Sequence, residues 1–127
     1  MANLNDRGAS FSYSAGGSNT LTQVTADPAV LYHVSVTNNS GSIGYLQVYN
    51  NGTFAASAGT PDFAIAVHSG TAGAGTPSFL AIREVDYGPF GREMAGGVSY
   101  LWATGATGTV AQPVNAVVDI TYRGTGI

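Results

Sequence analysis

Few side chains here could do chemistry, and their spacing limits what that chemistry could be. The two histidines, His33 and His68, fall in separate alternating segments, VLYHVSVT and DFAIAVHS. Neither has a second histidine or a carboxylate at a spacing that would converge on a metal, so each is expected as an ordinary solvated or hydrogen-bonded strand residue. Cysteine is absent, which removes thiolate nucleophiles, disulfides and Cys-ligated metals. Serines sit mainly in turn-like stretches and no G-x-S-x-G occurs, so no Ser-His-Asp set can be grouped. Paired carboxylates for glycoside hydrolysis would have to come from Asp62 with Glu84 or Asp119 across a sheet. Strand-start and outward-facing positions account for these residues more simply. The runs GTAGAGT and GATGTVA fit neither the dinucleotide nor the P-loop pattern, and no helix follows them. No catalytic residue, cofactor site or metal site is therefore expected.

What remains is contact chemistry. Tyr45, Tyr49, Tyr100 and Trp102 fall on alternating strand positions. A solvent-facing row of these rings would stack sugars. The alternative, which the pattern favours, puts Tyr100 and Trp102 on a core face with Val98. The second feature is YGPFGREMAGG (87–97), an aromatic and charged loop just ahead of the strand VSYLWAT. Pro89 fixes φ, while Gly88 and Gly91 permit tight reversals. Two roles are open to Phe90: an anchor held out for a partner, or a plug tucked into its own core. Arg92 and Glu93 are candidates for an ion pair across a subunit boundary, where arginine is the better interface cation.

The chain around these residues is poor in charge. Only 9% of its 127 residues are charged, against roughly 25% in an average domain. All four basic residues are arginines (Arg7, Arg83, Arg92 and Arg123), and the net charge is −3. Without a basic patch, nucleic acid is not an expected partner. The surface must be hydroxyl, amide, Gly and Ala, which suits a chain packed against neighbours and also suits an ordinary secreted-type β protein. The opening MANLNDRGAS lacks the basic and apolar regions of a signal peptide, and no apolar run approaches the roughly 18 residues of a membrane span.

The elements that must position these groups read as strands. Alternation is general and 3.6-residue periodicity is lacking. The expected strands are TLTQVT (20–25), VLYHVSVT (30–37), YLQVYN (45–50), DFAIAVHS (62–69), SFLAIREVD (78–86), VSYLWAT (98–104) and AQPVNAVVDITYRG (111–124). In the second, Val30, Tyr32, Val34 and Val36 form the expected core face. Leu46 and Val48 should point inward while Tyr45, Gln47 and Tyr49 point out. Phe63, Ile65 and Val67 share one side, as do Val114, Ala116, Val118, Ile120 and Tyr122. The connections at 38–44, 53–61, 70–77 and 105–109 are rich in Gly, Ala, Asn, Ser and Thr. Seven to eight short strands with no crossover helix imply an all-β fold, an antiparallel β-sandwich or jelly roll.

Residues 1–18 are expected to be a separate N-terminal arm, leaving 19–127 as a single β-sandwich domain. The arm is Ser, Gly and Asn rich and too poor in apolar residues to hold itself in place. It is either a frayed tail or an extended segment that orders on a partner through Arg7, Phe11 and Tyr13.

LYHVSVTNNSGSIGYLQVYNNGT, GTPDFAIAVHSG, YGPFGREMAGGVSYLWATG and PVNAVVDITYRG together resemble small all-β structural proteins of tailed bacteriophages. These are capsid decoration or cement proteins and related head-fibre or tail-associated β domains. The resemblance spans about residues 30–124 and rests on strands and turns rather than on active-site residues. It implies a non-enzymatic virion protein, made in the host cytoplasm and carried on the outer capsid, that clamps neighbouring major capsid subunits. It also implies trimers near threefold or quasi-threefold positions, with no cofactor and no membrane or nucleic-acid partner. The alternative it leaves open is a tail or fibre adhesin domain that binds a host surface glycan.

Overall fold

The computed structural model of the chain describes residues 11–16, 21–38, 43–52, 60–70, 81–103, 105 and 116–124. Within them lie nine strands: β1 (Phe11–Gly16), β2 (Thr22–Thr25), β3 (Ala29–Asn38), β4 (Gly44–Tyr49), β5 (Phe63–Val67), β6 (Ala81–Asp86), β7 (Arg92–Met94), β8 (Val98–Ala103) and β9 (Ala116–Gly124). No helix occurs among the described residues.

The pairing nests along the sequence. β1 pairs β9, β2 pairs β8, β3 pairs β6 and β7, and β4 pairs β5, all antiparallel. Successive pairs alternate between two sheets, which β3·β9 and β4·β8 complete. The first sheet runs β1-β9-β3-β6 with β7 on the same edge of β3, and the second runs β2-β8-β4-β5. This order is that of a jelly roll, two Greek keys wound into a sandwich. Because β6 and β7 are two pieces of one edge position, nine strands fill eight places, in agreement with the expected all-β sandwich.

Facing sides of the two sheets make the core. Leu31, Val34, Val36, Val118 and Ile120 come from the first; Leu46, Val48, Ile65, Val67, Val98, Tyr100 and Trp102 come from the second. Trp102 and Tyr100 are the largest fully buried side chains and share that face with Val98, as the alternation indicated. Trp102 packs directly over Gly44, where an added Cβ would lie 2.7 Å from its Cε2. The two sheets are also tied by Asn38, whose side-chain N–H donates to the carbonyls of Val67 and His68 at 3.4 and 2.8 Å. Asn38 therefore ends β3 rather than opening the following turn.

Alternation fails in two places. In β3 the register with β9 slips between Leu31 and His33, leaving Tyr32 as an extra residue. A bulge of this kind reverses the facing of everything before it. Ala29 and Leu31 accordingly lie in the core with Val34 and Val36, whereas Val30 and Tyr32, expected inside, are half-buried on the other face. In β4, Gln47 and Tyr49 were expected to face outward and are nonetheless buried. Tyr49 joins Leu101 and Ala103 in a second small apolar cluster, with Leu21 against it. The Tyr49 hydroxyl donates to Gln47 Oε1, and Gln47 Nε2 donates to Gly105 O at 2.9 Å.

The N-terminal tract also departs from expectation. Residues 11–16 need no other chain to pair with, because as β1 they run antiparallel to β9, with Phe11 opposite Tyr122 and Tyr13 opposite Ile120. Residues 1–10 lie outside the described residues, as do Val114, residues 71–77 of the expected loop at 70–77 and residues 106–109 of the expected turn at 105–109.

Candidate functional site

Interruption of the β6–β7 edge produces the most exposed aromatic side chain in the described structure. β6 follows β3 from Asn38 to His33, and β7 resumes against Leu31. Between them the chain leaves the ladder for residues 87–91, all opposite the bulged Tyr32. The Tyr87 N–H donates to Tyr32 O at 2.9 Å, so the departure is itself anchored on the bulge. Asp86 Oδ1 accepts the Gly88 N–H at 2.7 Å, and the Gly91 N–H donates to Gly88 O at 3.3 Å. Gly88 and Gly91 have φ of 76° and 72°, the left-handed region that side chains other than glycine rarely enter. Pro89 fixes the intervening φ. The result is a small backbone-bonded turn that holds Phe90 91% exposed. The Phe90 ring is exposed and fills no part of its own core, so it is not the plug that the sequence left open.

Arg92 behaves differently from the expectation of a cross-boundary pair with Glu93. Its Nε and Nη2 both donate to Asp62 Oδ2, at 3.0 and 2.8 Å. Its guanidinium lies 4.9 Å from the centre of the Phe63 ring and 5.8 Å from that of Tyr87. Phe63 and Tyr87 meet edge to face at 5.8 Å. Asp62 and Phe63 precede and begin β5, at the edge of the second sheet, so this cluster closes the open side of the sandwich. Arg83 does the same further along, donating to Ala66 O on β5 at 3.4 Å. Burial pushes the Tyr87 phenol up, Arg92 pulls it down, and Asp62 pushes it up. Sequence reading missed Asp62 as the partner of Arg92 because 30 residues separate them. Glu93 is exposed opposite Val30 and has no ion-pair partner among the described residues.

Of the remaining residues expected at an interface, Phe11 and Tyr13 lie on β1 and Arg7 lies outside the described residues. The groups weighed for chemistry are not brought together. His33 sits mid-β3, and His68 is exposed past the end of β5. Asp62 is engaged by Arg92, while Glu84 and Asp119 lie on either side of Ser35 on the outer face of the first sheet. No group of three or more His, Asp or Glu among the described residues is placed to hold a metal. Nor is any helix there long and apolar enough to cross a membrane. The four rings weighed as a sugar-stacking row form none: Tyr100 and Trp102 lie in the core, as the pattern favoured, Tyr49 is buried on the other side of the second sheet, and Tyr45 is half-buried.

Comparison of the chain with protein-family models, with curated proteins and with solved structures finds no match in any of the three.

Proposed function

We propose that this chain is a non-enzymatic structural protein of a tailed-bacteriophage virion, a decoration or cement protein on the outer head surface. It binds major capsid subunits and stabilises the contacts between them, as a homotrimer. The observation that carries this reading is Phe90, a large apolar side chain held 91% exposed on a turn that its own backbone bonds fix. An exposed aromatic on a fixed support has the character of an interface anchor, because little conformational entropy is lost when it is buried. Two further features support it. The jelly-roll order is one that viral capsid domains use, although a fold alone does not assign a role. The surface is also poor in charge, as expected where packing against a neighbour dominates.

The adhesin reading loses its main support, since the Tyr and Trp side chains that would stack a glycan do not form an exposed row. Co-sedimentation of the purified protein with matched empty capsids that lack it, with bound copies counted by quantitative mass spectrometry, tests the assignment. Saturation at hundreds of copies per particle is expected for a head decoration protein. No binding, or a handful of copies, overturns it and directs attention to the tail.

A further inference from the structure

The outer face of the first sheet carries an uneven share of the charge. Glu84 and Asp86 on β6, Glu93 on β7 and Asp119 on β9 all occupy its outward positions, alternate with the core-facing Val85, Met94, Val118 and Ile120. These are four of the seven carboxylate side chains in the sequence. The cations nearby are largely spent inside the chain. Arg92 is held by Asp62, and Arg83 reaches across to the Ala66 carbonyl. Arg123 shares the row of Glu93 and Val30, its guanidinium 5.8 Å from the centre of the Tyr32 ring. Apolar groups frame the acidic rows. Ile82 and Val117, both exposed, flank Thr37 at one end, and Phe90 stands on the edge between Asp86 and Glu93.

We infer that this face, with Phe90 at its rim, docks on a protein surface offering an apolar pocket for the ring and bordering Lys or Arg side chains. Charge complementarity selects that partner. A second copy presenting the same face would bring carboxylate against carboxylate, and a nucleic acid would add phosphates to them. Strand addition along the β6–β7 edge is blocked, because residues 87–91 interrupt the ladder, Pro89 has no N–H to donate, and the flanking strand is charged. The inference deepens the proposed function and rests on it for the identity of the partner, the assembled shell.

The test separates the two. Wild type, Phe90→Ala and the double variant Glu84→Gln/Glu93→Gln are titrated onto capsids lacking the protein, at low and high NaCl. All three residues are exposed, so thermal melts should be unchanged and confirm folding. Phe90→Ala should bind at least about tenfold more weakly at both salt concentrations. The double variant should bind more weakly at about 50 mM NaCl and lose most of the wild-type decline between about 50 and 500 mM. If wild type binds and both variants match it, the docking surface is wrong while decoration stands. If wild type does not bind, decoration fails, and the surface is judged by a second probe. That probe is a randomised peptide library selected on immobilised wild type, with both variants as counter-selection. Enrichment of Lys or Arg beside apolar residues supports the inference, and failure to find any peptide that distinguishes wild type from the variants overturns it.

Discussion

Gly88 and Gly91 bound the turn that presents Phe90, and the structure separates what each contributes. Both have positive φ, so an alanine at either site would be held where its Cβ meets the following carbonyl, at about 1–2 kcal/mol. Around Gly88 the space is open, with nothing within 4 Å of an added Cβ. At Gly91 the same Cβ would overlap Val30 Cγ1 and lie 2.7 Å from Leu31 O. The valine is β-branched and stiff, and the carbonyl belongs to β3, which is paired on both sides. Neither yields easily, and overpacking of this kind adds about 1–3 kcal/mol. Gly88→Ala should therefore lose about 1 kcal/mol and Gly91→Ala about 3 kcal/mol. At about 4 °C per kcal/mol for a chain of this size, that is about 4 °C and about 12 °C in Tm. Urea unfolding followed by Trp102 fluorescence reports both, provided that the m-value stays constant. Equal losses in the two variants would refute the argument, because the turn would then not be seated against β3 at Gly91.

Two further outcomes follow from the cluster that closes the sandwich and from the buried phenols. Asp62→Asn removes only an ion pair whose side chains are 38% and 31% exposed and should lose about 0.5 kcal/mol. Arg92→Ala also removes the guanidinium from the Phe63 and Tyr87 rings and should lose about 1–1.5 kcal/mol; equal urea midpoints for the two would deny the rings any share. Burial raises the phenols of both Tyr49 and Tyr87 above their usual value of 10.0. Above pH 10 the unfolded chain loses these protons while the folded chain keeps them, so the unfolded state binds fewer protons and stability falls as pH rises. That contribution is fully present below pH 10, and a pH series of melts should show a shallower alkaline decline in Tyr49→Phe.

Alternation made most of the fold legible, and the places where it misled have identifiable causes. Strands β5, β8 and β9 have Phe63, Ile65 and Val67, then Val98, Tyr100 and Trp102, then Ala116, Val118 and Ile120 on the core face where period-two patterning puts them, although Leu101 and Ala103 between and beyond the second set are buried on the other side of the sheet. In β3 the pattern cannot choose. Val30, Leu31 and Tyr32 are all apolar, so nothing local marks the one-residue slip that sends Leu31 inward and Val30 outward. β7 was hidden for another reason. Three residues, two of them charged, read as loop, and they become strand because β3 offers an unpaired edge at Ala29–Leu31. Tyr49 and Gln47 read as outward from the pleat alone, whereas their burial depends on Leu101, Ala103, Leu21 and Gly105, which are distant in sequence. The candidate surface was half legible. Gly-Pro-Phe-Gly announced a constrained aromatic turn, but whether its ring pointed out, and which carboxylate Arg92 would find, depended on long-range pairing.

The bulge and the turn have one origin, and this accounts for a rigid aromatic loop in so plain a chain. Tyr32 is one residue more than β9 can match, so β3 changes its facing at that point. A neighbour on the other edge of β3 that ran straight through would carry its own alternation past the change and place the wrong side chains in the core. The chain instead leaves the ladder after Asp86, uses the Tyr32 carbonyl for Tyr87, and re-enters at Arg92 with Met94 buried. Residues 87–91 are thus supported by backbone bonds and by the glycine at the return, with no demand on the side chain at the tip. A tip under no internal demand could have carried a polar residue at lower risk of aggregation. Position 90 carries phenylalanine. The same edge strand turns its two arginines back across the sandwich, and that leaves Glu84, Asp86 and Glu93 to face outward beside the ring. An apolar point set in an acidic margin is the arrangement on which the proposed docking to a basic-rimmed pocket rests.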